Sequence, residues 1–206
     1  MTASALRAAA LGCALTLLAA TGPPRAVADG DKEDKKVDLQ VGDPAPAFEA
    51  RDDQGRSWNS AEHVGKKYLV IYFYPGDFTP GCTAQAKAFR DNMNKLADQG
   101  VEVIGVSGDS ADTHLLFKKA QMLDFTLLAD EEGSIARKFG VPVGPGGTVK
   151  TKDADGKELV LKRELTAARW TFVIGKDGKV LLKNTKVVPA QDSKKVAEFI
   201  ENLGKK

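Results

Sequence analysis

Apolar positions along the 206-residue chain fall into blocks whose spacing switches from continuous to helical and back. LVIYFY (69–74) is an unbroken aliphatic and aromatic run, the pattern of a strand buried on both faces. VEVIGVS (101–107) and FTLLAD (125–130) repeat that strand signal. Between the first two, Cys82, Ala86, Phe89, Met93 and Leu96 follow 4-3-4-3 spacing, which predicts a helix with one apolar face. Leu115, Leu116, Lys119 and Met122 suggest a second helix, started by the polar cluster at 109–112. The order β-α-β-α-β implies parallel strands joined by right-handed crossovers.

The second half changes character. WTFVIGKDGKVLLKN (170–184) reads as two strands around Gly175-Lys176-Asp177-Gly178, a hairpin that should extend the sheet antiparallel. TVKTKDADGKELVLKR (148–163) is a second hairpin candidate, turning at Asp155-Gly156. Asp192 is placed to cap a final helix whose Val196, Phe199, Ile200 and Leu203 make one apolar face. The expected class is α/β, with a mixed central sheet and helices on both faces. The chain shows no internal repeat, P-loop or G-x-G-x-x-G fingerprint, so nothing supports nucleotide binding.

The N-terminus reads as an export signal over residues 1–28: Arg7, an uncharged Ala/Leu run at 8–20, then Ala26-Val27-Ala28 in the A-x-A form of a cleavage site. The run is shorter than the roughly 20 residues a membrane span needs, and Gly22-Pro23-Pro24 follows it. Cys13 lies inside the signal with a very short apolar run before it, which argues against lipid attachment there. DGDKEDKK (29–36) reads as a solvated charged linker, leaving 37–206 as the folded domain. Cleavage removes Arg7 and Arg25 and leaves 28 basic and 28 acidic residues. That balance attracts neither nucleic acid nor an anionic membrane. The expected location is the periplasm or the exterior, with no stable membrane association.

Of the chain's two cysteines, cleavage leaves Cys82. A lone thiol in a compartment that favours disulfides is either buried and inert or reactive. Thr79-Pro80 marks a helix start, Thr as N-cap and Pro as first helical residue, which makes Cys82 the third. There the helix dipole and unpaired amides favour the nucleophilic thiolate, with the Thr79 hydroxyl one turn back. Taken singly, Thr79 as a cap, Pro75 as a strand terminator and Arg169 as a strand-end charge all have plain structural explanations. His63 and His114 lack metal-ligand spacing and read as surface or capping residues, and no metal is expected.

The pattern Pro75-x-x-x-Thr79-x-x-Cys82 directly after a buried strand, GDPAPAFEARDDQGR near the start and RWTFVIGKDGKV late in the chain together resemble a peroxiredoxin. The likeness is greatest to the bacterioferritin-comigratory (PrxQ-type) branch of the AhpC/TSA family and runs from about Leu39 to Leu203. It implies a thioredoxin-like fold and a peroxidase that needs no cofactor, reducing hydrogen peroxide and organic hydroperoxides through a cysteine sulfenic acid. By the same resemblance, Cys82 is the nucleophile, Thr79 and Arg169 bind the peroxide, Pro75 shields the sulfur, and the amides of Gly81 and Cys82 face the substrate. PrxQ-type chains often carry a resolving cysteine five residues on, where this sequence has Lys87, and an acidic residue three on, where it has Gln85. The first departure implies a one-cysteine mechanism with an external thiol reductant, either a thioredoxin-like protein or a small thiol, acting on a monomer or homodimer. The alternatives are a non-catalytic thioredoxin-fold binding protein and a disulfide oxidoreductase, although the latter needs C-x-x-C and Thr79 stands at its first cysteine.

Overall fold

The computed structural model describes residues 37–152 and 156–205; the expected signal and linker lie outside them, as do Asp153, Ala154 and the turn residue Asp155. Strands β1 (Glu49–Asp52), β2 (Ser57–Asn59), β3 (Tyr68–Phe73), β4 (Val101–Ser107), β5 (Thr126–Ala129), β8 (Trp170–Ile174) and β9 (Val180–Asn184) form one sheet in the order β2-β1-β5-β4-β3-β8-β9. β3, β4 and β5 are parallel, and β8 adds antiparallel to β3. The β8–β9 hairpin turns through Gly178 at φ +77°, a conformation that favours glycine. β6 (Val143–Lys152) and β7 (Glu158–Ala167) pair as a separate two-stranded ribbon.

Alternation along β3 divides the core. Leu69, Ile71 and Phe73 face one layer with Phe48, Trp58, Phe139 and Phe172. Val70 and Tyr72, with Tyr74 just beyond the strand, face the other layer with Phe89, Leu96, Phe117, Val196 and Ile200. Each fully buried side chain of this kind contributes about 1.5–3 kcal/mol of transfer free energy. Helices α1 (Pro80–Asp98), α2 (Ala111–Gln121) and α4 (Asp192–Leu203) supply residues to the second layer, and the short α3 (Ser134–Lys138) supplies Ile135 and Ala136 to the first. This is the mixed α/β sheet with helices on both faces that the periodicity predicts, and no described helix is long and apolar enough to cross a membrane.

Two helices differ from expectation, and two short strands are not foreseen by it. α2 buries Thr113, His114 and Phe117, while Leu115 and Leu116 are only half-buried and Met122 is 74% exposed. Its start follows Ser110, whose hydroxyl accepts from the Thr113 amide. Asp192 is not a cap: Gln191 holds that position, and the Asp192 side chain turns into the protein. The strands β1 and β2, EARD and SWN, are too short and polar to show a strand period.

Candidate active site

Buried β3 delivers the chain into a turn at 75–78, and Thr79-Pro80 then starts α1. Thr79 has the extended backbone of an N-cap, but its hydroxyl makes no cap bond. Instead it donates to the Gly76 carbonyl at 3.1 Å, tying the helix start back to the turn. The first intrahelical bond joins the Thr83 amide to the Thr79 carbonyl, so the Gly81 and Cys82 amides precede the point where α1 supplies acceptors. Cys82 is the free cysteine among the described residues and is 1% exposed.

Arg169, the residue before β8, donates from Nη2 to Cys82 Sγ at 3.1 Å and from Nη1 to Gln85 Oε1. Its Nη2 also lies against Gly81: a Cβ there would be 3.3 Å away, with Pro189 on the other side at 3.8 Å. The structure therefore brings Cys82, Gly81 and Arg169 into one cluster. Thr79 is held at the same helix start, and Pro75 is half-buried at the head of the turn. Gln85 is fully buried and donates from Nε2 to Asp192 Oδ2 at 2.8 Å; Thr171 donates to the same oxygen at 2.7 Å. Burial pushes the Asp192 carboxyl above its usual range, opposed by the Thr171 and Gln85 hydrogen bonds, by Arg169 and by the Asn184 side chain.

Behind the turn lies a second polar cluster that sequence reasoning missed. His114 is completely buried, contrary to a surface or capping role. Its Nε2 faces the Leu128 carbonyl at 3.1 Å and its Nδ1 faces Asp77 Oδ2 at 2.8 Å. Both neighbours are acceptors, a setting that favours a proton on each ring nitrogen. Burial opposes that charge, but Asp77, Asp109 and the Leu128 carbonyl outweigh it and hold His114 above the usual imidazole value. Tyr74 donates to Asp77 Oδ1 at 2.8 Å, and the Asp77 amide donates to Asp109 Oδ2 at 2.8 Å. Arg163, from β7, donates from Nε to Asp109 Oδ1 at 2.8 Å and from Nη2 to the Asp77 carbonyl at 2.9 Å. Opposed charges on the turn, the loop between β4 and α2, α2 itself and the ribbon thus clamp the segment that carries Thr79. Nothing local in sequence announces this cluster, because its partners lie tens of residues apart. His63 does lie near the surface, paired with Glu102 at 2.7 Å and stacked on Trp58.

Phe78 adopts φ +59°, a left-handed conformation unusual for a bulky residue, and its ring packs edge-on to Phe117 at 5.2 Å. The turn is held in this conformation by its side chains on either side, Asp77 through its ion pair with His114 and Phe78 through packing.

The model of the AhpC/TSA family matches residues 41–183, most of the chain. The chain belongs to this family. Among curated relatives, the chloroplastic peroxiredoxin Q of Sedum lineare is 37% identical over 163 residues, covering 79% of this chain and 78% of its own. Peroxiredoxin Bcp of Bacillus subtilis is 38% identical over 165 residues, covering 80% of this chain and 95% of its own. Among solved structures, peroxidoxin BcpB of Mycobacterium tuberculosis aligns with a TM-score of 0.66 at 28% identity, over 81% of this chain and 99% of that one. The bacterioferritin comigratory protein of Xanthomonas campestris, described with an alkyl peroxide reduction activity, aligns with a TM-score of 0.64 at 28% identity, over 80% of this chain and 97% of that one. Family, branch and fold thus agree with the resemblance read from the Pro75–Cys82 segment, and the chain is an enzyme of the thiol-dependent peroxidase class.

Proposed function

We propose that this peroxiredoxin reduces hydrogen peroxide and organic hydroperoxides at Cys82 by a one-cysteine mechanism, in the periplasm or outside the cell. The observation that carries this reading is the contact between Arg169 Nη2 and Cys82 Sγ at 3.1 Å, at the first turn of α1. A guanidinium cannot accept a hydrogen bond, so the partner it favours at that distance is a thiolate. The N-terminus of α1 adds its dipole to the same end.

In the first step the Cys82 thiolate attacks one oxygen of the peroxide. The S–O bond forms as the O–O bond breaks, sulfur loses two electrons, the attacked oxygen keeps its hydrogen as the sulfenic acid, and the departing oxygen takes a proton from solvent to leave as water or an alcohol. Charge builds on that oxygen, and Arg169 with the free amides at Gly81 and Cys82 is the set of donors suited to meet it. Thr79 spends its own proton on the Gly76 carbonyl, which leaves its hydroxyl oxygen free to accept from the peroxide O–H. Alignment by these groups converts a collision into an oriented attack. Pro75, at the head of the turn, shields the resulting sulfenic acid.

Regeneration draws on a second thiol from outside the chain. Lys87, where the branch often has its resolving cysteine, is exposed on α1 and has no thiol. A reductant thiol condenses with the sulfenic acid, releasing water and leaving a mixed disulfide; a second thiol then displaces Cys82 as the thiolate. The signal-like segment at 1–28 supports export, where a thioredoxin-like protein or a small thiol would act as reductant. The mature chain is tested by following peroxide consumption with dithiothreitol and with a thioredoxin system. Turnover that vanishes in Cys82→Ser supports the reading; equal consumption by parent and variant overturns it.

A further inference from the structure

Gln85 lies between two groups of fixed and opposite hydrogen-bonding character. On one side is the Arg169 guanidinium, which only donates; on the other is Asp192 Oδ2, which accepts from both Gln85 Nε2 at 2.8 Å and Thr171 Oγ1 at 2.7 Å. A buried side-chain amide can turn over and exchange its oxygen and nitrogen. Only one of its two orientations suits both neighbours here, and it directs Oε1 to Arg169. All three of Gln85, Thr171 and Asp192 are buried, so water does not compete for these bonds. Asp192 Oδ1 is likewise buried; among the described residues no group makes a well-formed hydrogen bond to it, although the Asn184 side chain lies near the carboxyl.

We propose that Asp192 is a positioning residue for the peroxidase reaction: through the Gln85 amide it fixes the guanidinium of Arg169 against Cys82 Sγ. The neutral glutamine on α1 is thereby matched to a carboxylate at the start of α4, at a sequence separation of 107 residues. The inference rests on the assignment of Cys82 and Arg169 to the reaction. Its chemistry is that of a relay without proton transfer. The carboxylate sets the amide, the amide sets the guanidinium, and the guanidinium holds the sulfur anion. Arg169 is the charged group that acts on Asp192, and Tyr72, buried nearby, feels the charges of Asp192, Cys82 and Arg169.

Removing the charge with Asp192→Asn substitutes a side chain that can itself turn over. With its nitrogen toward Gln85 it drives the Gln85 amide to present N–H to Arg169. With its oxygen there, it puts an N–H₂ in the buried place of Oδ1, where no well-formed hydrogen bond is available. Adding Gln85→Glu restores order, because a carboxylate at position 85 accepts from Arg169 while the amide at 192 donates to it and to Thr171. The test is the second-order rate of Cys82 oxidation by hydrogen peroxide in parent, D192N and D192N/Q85E, with the pH profile of Cys82 alkylation by iodoacetamide on the same proteins. Asp192→Asn is expected to slow oxidation about tenfold, the effect of losing one charge-assisted hydrogen bond, and to move the alkylation profile to higher pH. The double variant is expected to recover most of both. A D192N rate and profile within twofold of the parent would overturn the proposal, as would a double variant no faster than D192N. Alkylation reads the thiolate without peroxide, so a parent inert to peroxide would count against the function while the profile still tests the relay.

Discussion

The guanidinium of Arg163 occupies the space that a side chain on Gly76 would need. A Cβ at Gly76 would lie 2.1 Å from Arg163 Cζ and 2.2 Å from its Nη1. Arg163 reaches this place from the β6–β7 ribbon and ties Asp109 on one side to the Asp77 carbonyl on the other. The ribbon therefore does not merely lie outside the sheet; it closes over the turn that precedes Thr79 and Cys82.

Gly76→Ala is expected to displace Arg163 and to leave Asp109 short of its cation. Breaking a buried ion pair in this way costs about 3–5 kcal/mol. Chemical denaturation should show that loss for Gly76→Ala and for Arg163→Ala, and the two changes together should cost far less than their sum, because each removes the same contact. Independent, additive losses would contradict the clamp.

The buried His114–Asp77 pair predicts how stability varies with pH. His114 is raised above its unfolded value, so the folded protein binds the proton more tightly than the unfolded chain. The stabilisation is fully present below the unfolded value of about 6.5 and is lost as pH rises through the folded value. Burial raises Asp77 as well, so its ionisation also costs more in the folded state and acts in the same direction. Unfolding free energy measured across neutral to alkaline pH should decline in the parent, and His114→Gln should flatten that decline while lowering stability overall. An unchanged slope in the variant would remove the pair from the account.

Thr79→Val keeps the shape of the side chain and removes the hydroxyl that donates to Gly76. Stability should fall by about 1 kcal/mol, the usual net value of one hydrogen bond. The rate of Cys82 oxidation should fall by more than that equivalent, and Thr79→Ser should restore most of it. If Thr79 acts only on the helix start, rate and stability will change in proportion and serine will offer no separate recovery.

Much of this arrangement is legible in the sequence where it is local. LVIYFY and VEVIGVS mark the strands because burial on both faces demands continuous apolar residues, and Thr79-Pro80 marks the start of α1 because both residues suit fixed positions there. The face of α2 is misjudged for a physical reason: His114 and Thr113 look polar, yet His114 is satisfied by Asp77 and by a strand carbonyl that the sequence alone cannot bring near it. Asp192 misleads in the same way. Its spacing before an apolar helix suggests a cap, whereas its partners Gln85 and Thr171 are contributed by α1 and β8. Cys82, Thr79 and Arg169 are readable as a motif, but the groups that hold them are not.

Lys87→Cys restores a thiol five residues after Cys82, but both positions lie on α1, about 7.5 Å apart along its axis. A disulfide cannot span two such positions without backbone movement. Peroxide treatment of this variant should therefore yield an intrachain disulfide only together with loss of the first turns of α1, detectable as faster hydrogen exchange over 80–88. A disulfide formed with those amides still protected would contradict the geometry.

The central claim is that Cys82 is the atom that peroxide oxidises. It is tested most directly by mixing the mature, fully reduced protein with one equivalent of hydrogen peroxide at neutral pH and measuring intact mass with dimedone present. The account predicts a single trapped sulfenic acid on Cys82, formed much more slowly in Arg169→Ala. A Cys82 that stays an unmodified thiol while peroxide remains unconsumed would contradict it.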